Sequence, residues 1–208
     1  DPSRVKKVVV EVNRNLPELS GRTAKQIKQE LGQQLANFKK VSARLEKAFE
    51  GKGIRITSGL IRKARIAEDL GWECPYTGKA FDEFDLLYGR VDKDHIIPRS
   101  ERPSDSLDSM VITFSEVNRM KGKRTAYRFI EACQGQTVEG RPELSIKTLA
   151  NFEKDVVALE AFKGHADDKR RKKRRKEFML LPDYVEKEFT PRDLTQTSHL
   201  VRLAAQLL

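Results

Sequence analysis

Cysteine is scarce: Cys74 and Cys133 are the only two in 208 residues. Two isolated thiols make no disulfide framework and no paired CxxC knuckle, so a disulfide-stapled scaffold and a zinc finger are excluded and two reduced thiols are expected. Long apolar runs are missing as well. Nothing approaches the roughly 20 residues that cross a bilayer, so no membrane partner is expected and the reading is of a cytoplasmic protein. No signal peptide is visible, and a chain opening on Asp1 reads as a piece excised from something longer. There is no internal repeat, no Gly-rich phosphate loop and no GxSxG elbow, which removes nucleotide hydrolases and serine hydrolases.

What is abundant is positive charge. Lys and Arg number 41 against 31 Asp and Glu, a net charge of +10. Charged residues make up 35% and hydrophobic residues 38%, a balance that fits a globular domain with a highly charged surface, alone or with extensions. The excess of cations points to a polyanionic partner.

Within this basic chain, Val91-Asp92-Lys93-Asp94-His95-Ile96-Ile97-Pro98 places an acid and an imidazole side by side at the end of a strand-like run. A second strand-like run, Met110-Val111-Ile112-Thr113, leads into Ser115-Glu116-Val117-Asn118-Arg119-Met120-Lys121-Gly122. The latter reads as a short helix, with Ser115 as N-cap and Gly122 as C′ residue. Strand, loop, strand and helix, with Asp, His and Asn converging, is one way to build a one-metal phosphodiesterase site. Hydrolysis of a phosphodiester needs a proton taken from water and charge neutralised on the leaving oxygen. Histidine suits the first task, because its ordinary pKa of about 6.5 leaves much of it neutral at pH 7. A hard divalent cation suits the second, and Mg²⁺ takes one or two protein oxygens while keeping several waters. Asp94 and Asn118 are therefore assigned to the metal, Mg²⁺ with Mn²⁺ as the alternative, and His95 to the water. Neighbours in a regular strand point to opposite faces, so the strand is expected to end or bulge at Asp94, as Pro98 also suggests.

Asp94-His95-Ile96-Ile97-Pro98-Arg99-Ser100, Asp105-Ser106-Leu107-Asp108 and Asn118-Arg119-Met120-Lys121-Gly122 together resemble the HNH nuclease domain of type II CRISPR RNA-guided DNA endonucleases. The flanks extend the resemblance. Val8-Val9-Val10-Glu11 is similar to a RuvC-like motif in which the glutamate is a metal ligand. Phe189-Thr190-Pro191-Arg192-Asp193-Leu194, with the tail to Leu208, is similar to the return toward that domain. The resemblance implies an α+β fold, mostly helical, with a small two-stranded antiparallel sheet and a helix forming a ββα-metal core. It implies Mg²⁺-dependent hydrolysis of the DNA strand paired to a guide RNA. The partners would be the RNA–DNA heteroduplex and the rest of an effector chain with its RuvC-like domain, base pairing supplying specificity. The domains implied are a RuvC-like strand segment at 1–16, a helical linker at 17–57, the HNH domain at 58–165, and a basic linker with return helix at 166–208. One departure is Asp108-Ser109, where the family carries a turn-holding Asn after the acid. Glu11 cannot act alone, since the segments carrying its partner carboxylates are absent. Zinc is not expected, because the turn Cys74-Pro75-Tyr76-Thr77-Gly78-Lys79 holds one cysteine where many HNH proteins begin a zinc site with a pair; the turn should instead support the strand leading to Asp94.

Arg119, Lys121, Lys123 and Arg124 cluster just after Asn118, and Arg99 and Arg102 stand in the loop between the strands. They read as contacts to backbone phosphates, Lys121 foremost, against the plainer reading of solvated surface. Amphipathic helices are expected over 22–49, with Ile27, Leu31, Leu35, Phe38, Val41, Leu45 and Ala48 as one stripe, and over 58–70, 125–134 and 145–162. A Gly-rich turn from Gly135 to Pro142 separates the last two. The unbroken basic run from Lys169 to Lys176 repels itself and extends unless a polyanion neutralises it, and reads as a helix or linker facing DNA or RNA. His165 and His199 read as exposed, not as ligands. Two rival functions share these features: a free-standing HNH endonuclease acting on duplex DNA without a guide, and a non-catalytic basic nucleic-acid-binding module whose Asp-His pair is structural.

Overall fold

The computed structural model describes residues 23–158 and 166–185. The expected strand bearing Glu11, the expected final helix with His199, and His165 lie outside the described residues.

Helix α1 (Ala24–Ala48) begins in a capping box: Thr23 accepts from Gln26 N, and the Gln26 side chain accepts from Thr23 N. Its apolar stripe is used unevenly. Val41, Leu45 and the following Phe49 are buried, whereas Leu31, Leu35 and Phe38 are 59%, 55% and 38% exposed. Helix α2 (Ser58–Asp69), capped by Thr57, turns Leu60, Ile61, Ala64 and Ala67 inward and packs on α1. A short α3 (Glu83–Leu87) precedes strand β1 (Val91–His95). Strand β2 (Met110–Phe114) returns antiparallel to β1, with Val91 opposite Phe114 and His95 opposite Met110. Helix α4 (Ser115–Lys121) follows without a loop and packs against both strands. These elements are the expected ββα unit. Every residue of β2 is buried, because α2 as well as α4 packs against it. The described residues continue through α5 (Ala126–Cys133), a hairpin of β3 (Thr137–Val138) and β4 (Arg141–Ser145), α6 (Leu149–Ala158) and α7 (Ala166–Met179).

Four expectations need correction. The β1–β2 ladder runs without a bulge through Asp94 to the His95–Met110 pair, so the strand ends one residue later than expected; Asp94 is buried while His95 is partly exposed. Ser115 is the first helical residue, not the cap; the cap position is Phe114, and the Ser115 hydroxyl donates to the Gly89 carbonyl at 3.0 Å. A second two-stranded sheet stands where a plain turn was expected, Gly140 taking the left-handed conformation (φ 74°) at its tip. That hairpin uses Ser145 as the end of β4, so the next helix starts at Leu149.

The fourth correction concerns the basic run, which neither extends into solvent nor turns every cation outward. It lies in α7, and one face of that helix is docked on the domain. Arg171 grips Asp69 through two hydrogen bonds of 2.7 and 2.8 Å. Arg175, only 1% exposed, reaches Asp69 at 2.9 Å, the Met110 carbonyl at 3.0 Å and the Leu107 carbonyl at 2.5 Å. Arg174 stands 3.5 Å from Asp108, and Lys172 is buried. Unpaired charge is costly to bury, so this face exists because a carboxylate and backbone carbonyls await it.

Candidate active site

The site is built on β1, α4 and the loop joining β1 to β2. Asp94 points inward and is 4% exposed. Its Oδ2 accepts from the Tyr76 hydroxyl at 2.6 Å and its Oδ1 from Lys121 Nζ at 3.1 Å. Burial pushes the Asp94 carboxyl up, against the pull of the Lys121 charge and the Tyr76 and Lys121 hydrogen bonds. Burial, then the Asp94 charge, drives the Tyr76 phenol well above its ordinary range. Lys121 also donates to the His95 carbonyl at 2.8 Å, so one ammonium ties α4 to two consecutive residues of β1.

Tyr76 comes from the turn expected to support this strand. Gly78 N donates to the Cys74 carbonyl at 2.8 Å and Cys74 N to the Lys79 carbonyl at 2.9 Å. Lys147 N bonds the Tyr76 carbonyl at 2.8 Å. Gly78 sits at φ 74°, a left-handed conformation that glycine adopts without strain. The Tyr76 ring is fully buried and meets Phe129 edge-on at 5.5 Å.

Asn118 and Lys121 are three residues apart on α4 and share a face. Asn118 Nδ2 lies 3.5 Å from the Lys93 carbonyl, directly before Asp94, which leaves the side-chain oxygen available. The donors present are one carboxylate and one carboxamide oxygen. They fit a hard cation that takes few protein ligands, and each carboxylate oxygen retains acceptor capacity beyond its one bond. Among the described residues no three His, Cys, Asp or Glu side chains gather around a common point that would hold a metal.

His95 is the last residue of β1, its side chain 23% exposed. Its Nε2 is 3.0 Å from Asp105 Oδ1. Asp105 belongs to the loop, with Arg99 Nη2 3.6 Å from its other oxygen and Arg62 donating to its carbonyl. The loop is tied internally as well: the Ser109 hydroxyl donates to Ser104 Oγ at 3.1 Å, contacts Ser106 Oγ at 2.6 Å and accepts from Arg102. A serine at this position thus holds the turn by hydroxyl hydrogen bonds.

Not every expected phosphate contact is available. Lys121 is 1% exposed and committed to Asp94, a correction to its reading as the foremost phosphate clamp: a buried, paired ammonium cannot reach a backbone outside. Arg124 is corrected too. Its guanidinium donates to the Lys121 and Met120 carbonyls and to Cys133 Sγ, and stacks 5.3 Å from the Phe129 ring centre. Arg102 is turned onto Ser109 and the Phe178 ring. Arg119, Lys123 and Arg99 remain exposed. Tyr76 and Asp105 carried no role in the sequence reading. Tyr76 meets Asp94 only through tertiary packing, whereas Asp105, ten residues past His95 in a polar loop, could have been suspected as an imidazole partner.

Comparison with known proteins follows from this geometry. Residues 74–127 match the family model described as HNH endonuclease. The chain is 29% identical over 143 residues to the CRISPR-associated endonuclease Cas9 of Staphylococcus aureus, the match covering 65% of this chain and 12% of that protein. Its fold is similar to that of Streptococcus thermophilus Cas9 in complex with the AGAA PAM (TM-score 0.58, 20% identity, 96% of this chain and 18% of that one). It is also similar to the type II-C Cas9 of Actinomyces naeslundii (TM-score 0.54, 16% identity, 77% of this chain and 17% of that one). The chain therefore spans about an eighth of the curated relative it matches.

Proposed function

We propose, from the match of residues 74–127 to the HNH endonuclease family model and the similarity to a Cas9, that the protein hydrolyses one strand of DNA, the strand paired to a guide RNA, at the β1–α4 site. The observation that carries this reading is the pairing of β1 with α4. Asp94 and His95 are the last two residues of β1, where the ladder stops, and Asn118 stands on the helix packed against that strand, 3.5 Å from the carbonyl before Asp94. Asp94 and Asn118 would hold Mg²⁺, or Mn²⁺ in its place. When bound, the ion supplies Lewis-acid stabilisation of the departing oxygen. His95, the partly exposed member, takes the proton from the attacking water. Tyr76 and Lys121 fix the Asp94 carboxylate from below. Arg119, Lys123 and Arg99 line the exposed side and contact phosphates, which position a nucleic acid without reading its sequence. The guide RNA and the remainder of a longer effector chain are the partners that go with this reading.

The test is nicking of a labelled RNA–DNA heteroduplex in Mg²⁺. His95→Ala should abolish nicking and leave affinity nearly unchanged; nicking at full rate by this variant would reject His95 as the base. Asp94→Ala should weaken divalent-ion binding in calorimetry, and unchanged binding would reject it as a ligand. Equal cleavage of guide-free duplex DNA would favour a free-standing endonuclease.

A further inference from the structure

We propose that Asp105 is a positioning residue for this reaction, holding the His95 imidazole in one tautomer and one orientation so that Nδ1 is the nitrogen that accepts the proton from water. The inference rests on the nuclease reading of His95. A carboxylate has no proton to give, so the 3.0 Å contact between His95 Nε2 and Asp105 Oδ1 requires the ring proton on Nε2. A neutral imidazole protonated there carries its lone pair on Nδ1, and among the described residues no hydrogen bond engages that atom. The chosen partner of one ring nitrogen decides the chemistry of the other.

Asp105 is not a loose surface acid that happens to lie nearby. Arg62, on α2, donates to its carbonyl, and Arg99 stands 3.6 Å from Oδ2. Burial works against its charge, but the His95 hydrogen bond and the Arg99 and Arg62 charges hold its carboxyl below the usual range. The two residues after it are anchored in turn. Ser106 Oγ bonds Asp108 and contacts Ser109 Oγ, and the Leu107 carbonyl is held by Arg175 at 2.5 Å. The backbone carrying the carboxylate is thus tied to α2 at Asp105 and to α7 two residues later. A side chain that is 55% exposed gains nothing in core packing from such support, whereas a group that must hold an imidazole at one angle does.

The experiment compares wild type with Asp105→Ala, Asp105→Asn and Asp105→Glu on the heteroduplex in Mg²⁺. Asp105→Ala should lower kcat by about 10- to 100-fold with KM within about twofold, since an unheld ring forfeits part of what a general base supplies. Asp105→Glu should recover part of the loss. Asp105→Asn, which can accept from Nε2 or donate to it, should fall between Glu and Ala. In ¹⁵N-labelled protein, the His95 ring, assigned with His95→Ala, should be protonated at Nε2 in wild type and become a mixture of tautomers in Asp105→Ala. Wild-type kcat in Asp105→Ala, or an unchanged tautomer, overturns the proposal. Failure of wild type to nick any substrate with any divalent ion would instead defeat the nuclease reading, and the catalytic role of Asp105 with it. The ring spectrum separates that outcome from a failure of the Asp105–His95 pairing itself.

Discussion

Asp94 is the residue on which most else turns. A carboxylate so deeply buried is tolerated because Lys121 and Tyr76 meet both of its oxygens, and removing one partner of a buried pair leaves the other uncompensated. Lys121→Ala should therefore cost about 3–5 kcal/mol of stability in denaturant unfolding. It should not alter the salt dependence of DNA binding. Arg119→Ala should do the reverse: near-native stability, with the slope of log affinity against log salt reduced by about one in anisotropy titrations. The sequence reading missed this distinction, which packing decides. Asn118 and Lys121 share a helix face and Arg119 does not, so a helix that turns Asn118 toward β1 also turns Lys121 inward. Tyr76 was not legible, because nothing local in Pro75-Tyr76-Thr77 says that its hydroxyl will meet an aspartate 18 residues on.

At the level of elements, α7 is where composition misled. Its unbroken basic run reads as a segment turned toward nucleic acid, but Asp69 and Asp108 on other elements, with the Leu107 and Met110 carbonyls, take in its inner face. Burial would raise the Asp69 carboxyl, yet hydrogen bonds and charge from Arg171 and Arg175 bring it below its ordinary 3.8. A depressed folded-state pKa contributes stability that is present above the unfolded value and lost as pH falls through the folded one. Unfolding free energy should thus be insensitive to Asp69 near neutrality and decline below pH 3.8. Asp69→Asn should lose about 3–5 kcal/mol at pH 7 and flatten that acid limb, as urea titrations at several pH values would record. Helix α1 has the opposite character. Its stripe was legible end to end by periodicity, but only the stretch from Val41 onward meets a partner within the described residues.

For the whole molecule, a net charge of +10 has two destinations. Part of it is spent inside, on Asp94, Asp69 and backbone carbonyls; the remainder, Arg119, Lys123 and Arg99 among it, faces outward. Phosphate contacts made by such side chains do not depend on a divalent ion. Chelation with EDTA should therefore stop nicking while heteroduplex affinity, measured at fixed ionic strength, stays within a few-fold.

The α+β class and the ββα unit were set by features of the chain that need no partner: apolar runs bounded by polar loops and a helix stop at Gly122. Periodicity and turn chemistry are local, and local rules suffice for them. Which cation stays exposed and which meets a buried carboxylate, and which acid lies against the imidazole, were decided only when the segments packed. Burial and pairing belong to the assembled surroundings of a side chain, and those surroundings are supplied by residues far away along the chain.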